Sequence, residues 1–326
     1  MLKKAVVWGV IGMVAPIFAA QADGLDAKLP DYKAVSGVSG SLKSIGSDTL
    51  NNLMTLWAEG FRSTYPNVKI EIEGKGSGTA PPALVAGTAQ FGPMSRPMKA
   101  AEIDAFEKKY GYKPAMVRSA VDALAVFVHK DNPIQCLSLQ QVDAIFSKTR
   151  RGGAGKDIAT WGDAGMTGEW ASRPISLYGR NSASGTYGYF KEEALFNGDY
   201  KDSVKEQPGS STVVQGVASD RFAIGYSGIG YKTADVRAVP ISRKDGEKCF
   251  DANEHNAYSG DYAISRFLYI YLNKDPNQAL DPARTEFVKY VLSKKGQEGT
   301  IKDGYFPMTA DLAAEDLKAL GISAGM

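Results

Sequence analysis

The sequence predicts an α/β protein whose chain passes from one domain into a second and back again. Short apolar stretches alternate with hydroxyl- or glycine-rich turns and then with amphipathic runs. Two longer segments, 116–128 and 263–272, share a high apolar density and read as the crossings between domains. With 326 residues, 44% apolar and 23% charged, the chain exceeds what one small core requires. Strand, polar turn and helix in repetition is the mark of strands covered by helices, and this length divides naturally into two domains.

The chain opens with Lys3 and Lys4, an uncharged apolar stretch at 5–20 and the tripeptide Ala20-Gln21-Ala22. This is the pattern of a secretory signal peptide at 1–22, cut before Asp23. A membrane anchor is the competing reading, but the stretch falls short of the ~20 residues a span needs and is broken by Gly9, Gly12 and Pro16. An N-terminal arm at 23–39 follows, with small residues continuing to Ser41. The first unit is a strand at 42–45, the turn Gly46-Ser47-Asp48-Thr49, and a helix whose face is Leu50, Leu53, Met54, Trp57 and Phe61. In the second, Val68, Ile70 and Ile72 alternate with charges as a half-buried strand. Gly76-Ser77-Gly78-Thr79 comes next, then a helix with Pro81 and Pro82 in its first turn. The third unit is a strand at 89–92, the stretch Pro93-Met94-Ser95-Arg96-Pro97 and a helix carrying Ile103 and Phe106.

The run at 116–128, interrupted between Val121 and Val128 only by Asp122, reads as the crossing into the second domain. That domain should hold a helix at 139–146 capped by Ser138, a glycine-rich loop at 152–168, a strand at 175–178, a helix at 186–196 and a strand at 222–226. Residues 263–272 form the return crossing, and two helices, one opened by Asp281-Pro282 and one at 310–320, close the chain.

With 38 basic and 36 acidic residues in all, loss of Lys3 and Lys4 leaves 36 of each. A neutral chain without basic clusters is not a nucleic-acid binder, and no later stretch predicts insertion into a membrane. In an exported chain the two cysteines, Cys136 and Cys249, read as one disulfide, with two separate buried thiols as the alternative. His129 and His255 stand far apart, so no metal site and no cofactor is expected.

Three turns share one grammar: Ser47-Asp48-Thr49, Ser77-Gly78-Thr79 and Ser184-Gly185-Thr186 each stand between a strand and a helix. Helix N-termini present unpaired N–H groups and a positive dipole, so an anion fits there, with glycine admitting close approach and hydroxyls adding donors. Each turn alone is an ordinary helix cap; three together, with Arg180 four residues before Ser184, point to an oxyanion. A guanidinium donates two parallel hydrogen bonds to such a group. Enzyme motifs fail: 179–186 has five residues between its glycines and no lysine before Thr186, and Gly225-Tyr226-Ser227-Gly228-Ile229 ends in Ile where a nucleophile elbow has glycine. His129 ends an apolar strand, and Trp57, Phe61, Tyr226 and Tyr231 read as core or cleft lining.

These residues resemble the periplasmic phosphate-binding proteins that serve the high-affinity phosphate ABC transporter. The likeness rests on Gly46-Ser47-Asp48-Thr49-Leu50, Gly76-Ser77-Gly78, Phe91-Gly92, Ala223-Ile224-Gly225-Tyr226 and, most specifically, Arg180-Asn181-Ser182-Ala183-Ser184-Gly185-Thr186. It implies a two-lobed periplasmic binding protein of type II with a ligand cleft between lobes and two hinge crossings. Lobe 1 would be 40–118 with 262–326, and lobe 2 119–261. It further implies a monomeric, non-enzymatic periplasmic receptor that delivers inorganic phosphate to an inner-membrane permease, with Ser47, Asp48, Thr49, Ser77, Ser95, Arg180, Ser184, Gly185 and Thr186 at the ligand. The chain departs from the family where many members carry an aspartate after the third strand, here 93–96, and two residues after the arginine, here Ser182. Asp48 is the candidate substitute as acceptor of the phosphate proton, with plain helix capping as the alternative. Arg96 is either a second cation at the cleft or a surface residue. Rival functions are a receptor for sulfate or molybdate, an exported phosphohydrolase, and a cell-surface structural role through the arm.

Overall fold

A computed structural model describes residues 24–323, so the expected signal peptide lies outside the described residues. The first half of the chain runs β1 (Gly40–Ile45), α1 (Asn51–Thr64), β2 (Val68–Glu73), α2 (Ala80–Val85), β3 (Phe91–Met94), α3 (Ala100–Tyr110), β4 (Ala115–His129), β5 (Leu137–Ser138) and α4 (Leu139–Phe146). It continues through β6 (Ser176–Arg180), α5 (Gly185–Glu193), β7 (Lys205–Gln207), α6 (Ser210–Ser219), β8 (Ala223–Gly228), β9 (Val236–Ala238), β10 (Ile241–Ser242) and α7 (Glu254–Ser259). β11 (Ser265–Leu272), α8 (Pro282–Val291), α9 (Lys294–Lys302) and α10 (Ala310–Ala319) complete it.

Among the described residues, nine strands form one mixed sheet in the order β2-β1-β3-β11-β4-β8-β6-β7, with β9 also beside β4. The two expected crossings, β4 and β11, lie side by side and antiparallel at its centre. β4 serves both sides: Ala115 to Ala123 pair with β11, and Leu124 to Val128 with β8. Its residues from Ser119 to Val128 are all buried, which explains an apolar run without alternation. Apolar packing divides the same way. Trp57, Phe61, Phe91 and Phe287 belong to one large cluster, Phe146, Trp161, Phe190 and Tyr226 to another. The chain is thus a two-lobed α/β protein.

Local sequence explains most elements. The face of α1 (Leu53, Met54, Trp57, Phe61) is buried at helical spacing, and β2 is an edge strand with Val68 buried. Ser138 starts α4 through a reciprocal box: Gln141 N–H donates to Ser138 Oγ at 3.1 Å, and Ser138 N–H to Gln141 Oε1 at 3.0 Å. Three helices rather than two close the chain, because α9 carries Gly296 and Gly299 and buries Gln297 and Thr300 in place of an apolar stripe. α6 escaped the pattern as well, since its Val213, Val214 and Val217 are β-branched and it contains Gly216. α5 stops at Glu193, short of the expected 196, where Phe196 and Asn197 take φ of 51° and 59°.

The arm runs along lobe 1 with Leu25, Leu29 and Val38 buried, and the Tyr32 hydroxyl donates to Glu286 Oε2 at 2.9 Å. Cys136 and Cys249 are joined across a separation of 113 residues. Closing so long a loop restricts the unfolded chain, so Cys136→Ala with Cys249→Ala is expected to cost about 3–5 kcal/mol, read by urea denaturation.

Candidate functional site

The three turns meet where the two halves of the sheet face each other. The first begins as β1 ends: Ser47 N–H donates to Pro93 O at 2.8 Å, and a 3-10 turn at Asp48–Leu50 leads into α1. Its carbonyls are held from outside the turn, Asp48 O by the Tyr231 hydroxyl and Thr49 O by the Tyr305 hydroxyl, both at 2.9 Å. In the second turn Gly76 has a φ of 112°, and a Cβ there would stand 2.5 Å from Ala183 O. Only glycine permits both the conformation and the approach. Gly78 N–H then donates to Ala183 O at 3.0 Å, docking the second turn on the third. The third turn is capped by Ser184, whose Oγ accepts from Thr186 N and Tyr187 N at 3.1 and 3.3 Å. Ser47 and Gly76 make no such side-chain cap, so Ser184 alone follows the capping rule of the three.

The side chains form one buried hydroxyl cluster. Thr49 Oγ1 lies 2.9 Å from Thr186 Oγ1, Ser95 Oγ 3.4 Å from Thr186 Oγ1, and Ser77 Oγ 3.2 Å from Ser95 Oγ. Ser77 Oγ also accepts from Ser95 N at 3.0 Å. Ser77 and Ser184 each accept a backbone N–H, so each keeps its own hydrogen to give. The N–H groups of Asp48, Thr49, Ser77 and Gly185 have no protein acceptor among the described residues. The arrangement is a concentration of donors around a small volume.

Arg180 is 1% exposed and ends β6 beside this cluster. Its Nη1 donates to Ser210 Oγ at 2.7 Å and its Nη2 to Pro208 O at 3.1 Å, while Nε is buried without an acceptor. Asp48 Oδ2 lies 3.3 Å from Nη2 and accepts Ser210 N–H at 2.7 Å. Burial pulls the guanidinium pKa down and the Asp48 charge pulls it back up. Asp48 therefore does not cap its own helix; it reaches the start of α6. The open question over Arg96 is answered by a fork onto Glu102 at 2.7 and 2.8 Å, a pair that holds the start of α3. The cation that reaches the cluster instead is Arg266 of β11, whose Nη2 donates to Thr186 Oγ1 at 2.9 Å.

Sequence offers no local signal that Ser210, Tyr305 or Arg266 stands beside these turns, and it marks Tyr231 only as core or cleft lining. The histidines stand elsewhere: His129 ends β4 and His255 lies in α7. Among the described residues no three His, Cys, Asp or Glu side chains are grouped to hold a metal, and no helix is long and apolar enough to cross a membrane.

Residues 33–295 match the model of the PBP superfamily domain. The chain is 58% identical over 304 residues to the phosphate-binding protein PstS of Pseudomonas aeruginosa PAO1, covering 93% of this chain and 94% of that one. To the phosphate-binding protein PstS of Staphylococcus haemolyticus it is 27% identical, over 98% and 97% of the two chains. The fold is like that of an ABC-type phosphate transport receptor from Vibrio cholerae, with a TM-score of 0.64 at 21% identity, covering 82% of this chain and 100% of the other.

Proposed function

The chain belongs to the PstS phosphate-binding proteins within the PBP superfamily, and from that premise we propose that it captures inorganic phosphate in the periplasm, between its lobes, for the permease of an ABC transporter. The observation that carries the site is the hydroxyl cluster of Thr49, Ser77, Ser95 and Thr186 beside the buried Arg180. Unpaired N–H groups at the starts of helices contribute about +0.5 charge per terminus. Arg180 already shares its charge with Asp48, so amide dipoles supply much of the attraction for the anion. Closure of the lobes about β4 and β11 would complete the shell and give the permease a loaded surface distinct from the empty one.

Donors alone hold sulfate as well as phosphate. Hydrogen phosphate carries a proton that must be accepted, and a carboxylate at that point repels fully ionised sulfate. Asp48 fits the role: Oδ2 is engaged by Ser210 and Arg180, and Oδ1 makes no hydrogen bond within the described residues. Titration calorimetry of ligand-stripped protein with phosphate, arsenate and sulfate tests both parts. Strong heats with phosphate and weak ones with sulfate are expected; equal heats would favour a general oxyanion receptor. Asp48→Asn should narrow the phosphate-to-sulfate ratio by about tenfold or more, and an unchanged ratio would reject Asp48 as the acceptor.

A further inference from the structure

Each long apolar strand at the sheet centre is interrupted by one buried charge, and the two charges are register partners: Asp122 of β4 faces Arg266 of β11. Asp122 Oδ2 accepts from Arg266 Nε at 3.0 Å and Nη2 at 2.8 Å, while Oδ1 accepts Ile229 N–H at 2.9 Å. The guanidinium lies over the Tyr189 ring, 5.2 Å from its centroid. A buried ion pair gives little or no net stability over an apolar pair of similar size. Stability therefore does not account for placing this one at the sheet centre.

We propose that Arg266, held by Asp122, is a positioning residue for anion capture that fixes the hydroxyls of Thr186 and Ser77 as donors. This rests on the phosphate reading above. A guanidinium has no lone pair to offer, so at the 2.9 Å contact with Arg266 Nη2 the Thr186 oxygen must accept. Its single hydrogen is then free for Thr49 Oγ1 or for an anion, and the incoming positive donor polarises it further. Arg266 Nη1 also donates to Ser95 O at 2.7 Å. That bond anchors the Ser95 backbone on its carbonyl side; the Ser95 N–H, in the preceding peptide unit, donates to Ser77 Oγ and leaves the Ser77 hydrogen to be given away. One side chain on the return crossing thus sets hydroxyls on both sides of the cleft. Asp122 keeps it in place and neutralises it, so the effect is orientation more than added charge.

The test is phosphate calorimetry on the full mature protein: wild type, Arg266→Gln, Arg266→Lys, Thr186→Ala and the Arg266→Gln/Thr186→Ala double variant, with thermal melts of each. Arg266→Gln is expected to bind about 10–100-fold more weakly, and Arg266→Lys to recover only part of the loss, since a point charge cannot span Ser95, Thr186 and Asp122 together. The double variant should be within about threefold of the weaker single, because the orientation of Thr186 is already lost once Arg266 is removed. A merely structural role would lower melting temperature while the binding losses multiplied in the double variant, and that result overturns the proposal. So does an Arg266→Gln protein with affinity within about twofold of wild type. Should Arg266→Gln not fold, Arg266→Lys decides: full wild-type affinity overturns the proposal. Wild-type protein that takes up no phosphate overturns the functional reading itself, whereas normal wild-type uptake with insensitive Arg266 variants overturns this inference alone.

Discussion

Arg180→Gln is expected to weaken phosphate binding by at least about 100-fold, close to 3 kcal/mol. The side chain is nearly inaccessible, and three of its neighbours depend on it: Ser210 Oγ, Pro208 O and the Asp48 carboxylate. Glutamine is too short to meet all three and carries no charge. Asp48 would then stand as an uncompensated negative group beside the very anion the site must admit, so repulsion adds to the lost attraction. The same loss should be partly relieved in Arg180→Gln/Asp48→Asn, where that repulsion is gone. Calorimetry of the two variants against wild type, with circular dichroism to verify folding, checks both statements. An Arg180→Gln protein binding within about threefold of wild type would remove the guanidinium from the site.

The three turns were legible because their chemistry is local. A hydroxyl or glycine between a strand and a helix leaves the same signature whatever the rest of the chain does, and one hydroxyl from each turn, Thr49, Ser77 and Thr186, joins the buried cluster. Both crossings were legible from their apolar density: β4 is buried on both faces from Ser119 to Val128 and loses its polar alternation, whereas β11 alternates buried residues with the half-buried aromatics Phe267 and Tyr269. What sequence could not supply was pairing at a distance. Asp48 has the look of a helix cap, and nothing local says that its partner is an amide 162 residues away at Ser210. The start of α6 was overlooked because valines and a glycine weaken a helical pattern that Val213, Val214 and Val217 nonetheless keep at the right spacing.

Arg266 is signalled only by comparison of two distant segments. Asp122 is the single charged break in the apolar run from Val121 to Val128, and the return crossing carries its own single break of opposite charge. Two buried strands each interrupted by one charge are most economically explained by a pair, because an isolated buried charge is too costly to keep. That reasoning identifies the pair without a structure, although not its contact with Thr186. Arg96 is the converse case: sequence leaves open whether it is a cleft cation or a surface residue, and the structure pairs it with a glutamate at the third position of the next helix.

Gly185→Ala should separate folding from closure. Gly185 opens α5 with ordinary helical backbone, so alanine suits its own lobe and gains about 0.5–1 kcal/mol of helix preference. The obstacle is across the cleft: a Cβ would stand 2.7 Å from Ser95 Oγ and 2.8 Å from Ser77 Cβ, and nearer still to Ser77 Oγ. Ser77 Oγ is held by the Ser95 N–H, and the Ser95 backbone is anchored at its carbonyl by Arg266, so the pair does not yield cheaply. The variant should therefore melt at or slightly above the wild-type temperature in the absence of phosphate, and bind phosphate about 100-fold or more weakly because the donors on the two lobes no longer reach one ion. Gly76→Ala, by contrast, should lose stability as well, since its φ of 112° excludes a Cβ on the lobe's own account. Equal loss of stability in both variants would mean that Gly185 serves packing within its lobe; unchanged affinity in Gly185→Ala would mean that the cluster does not need to close for the ion to be held.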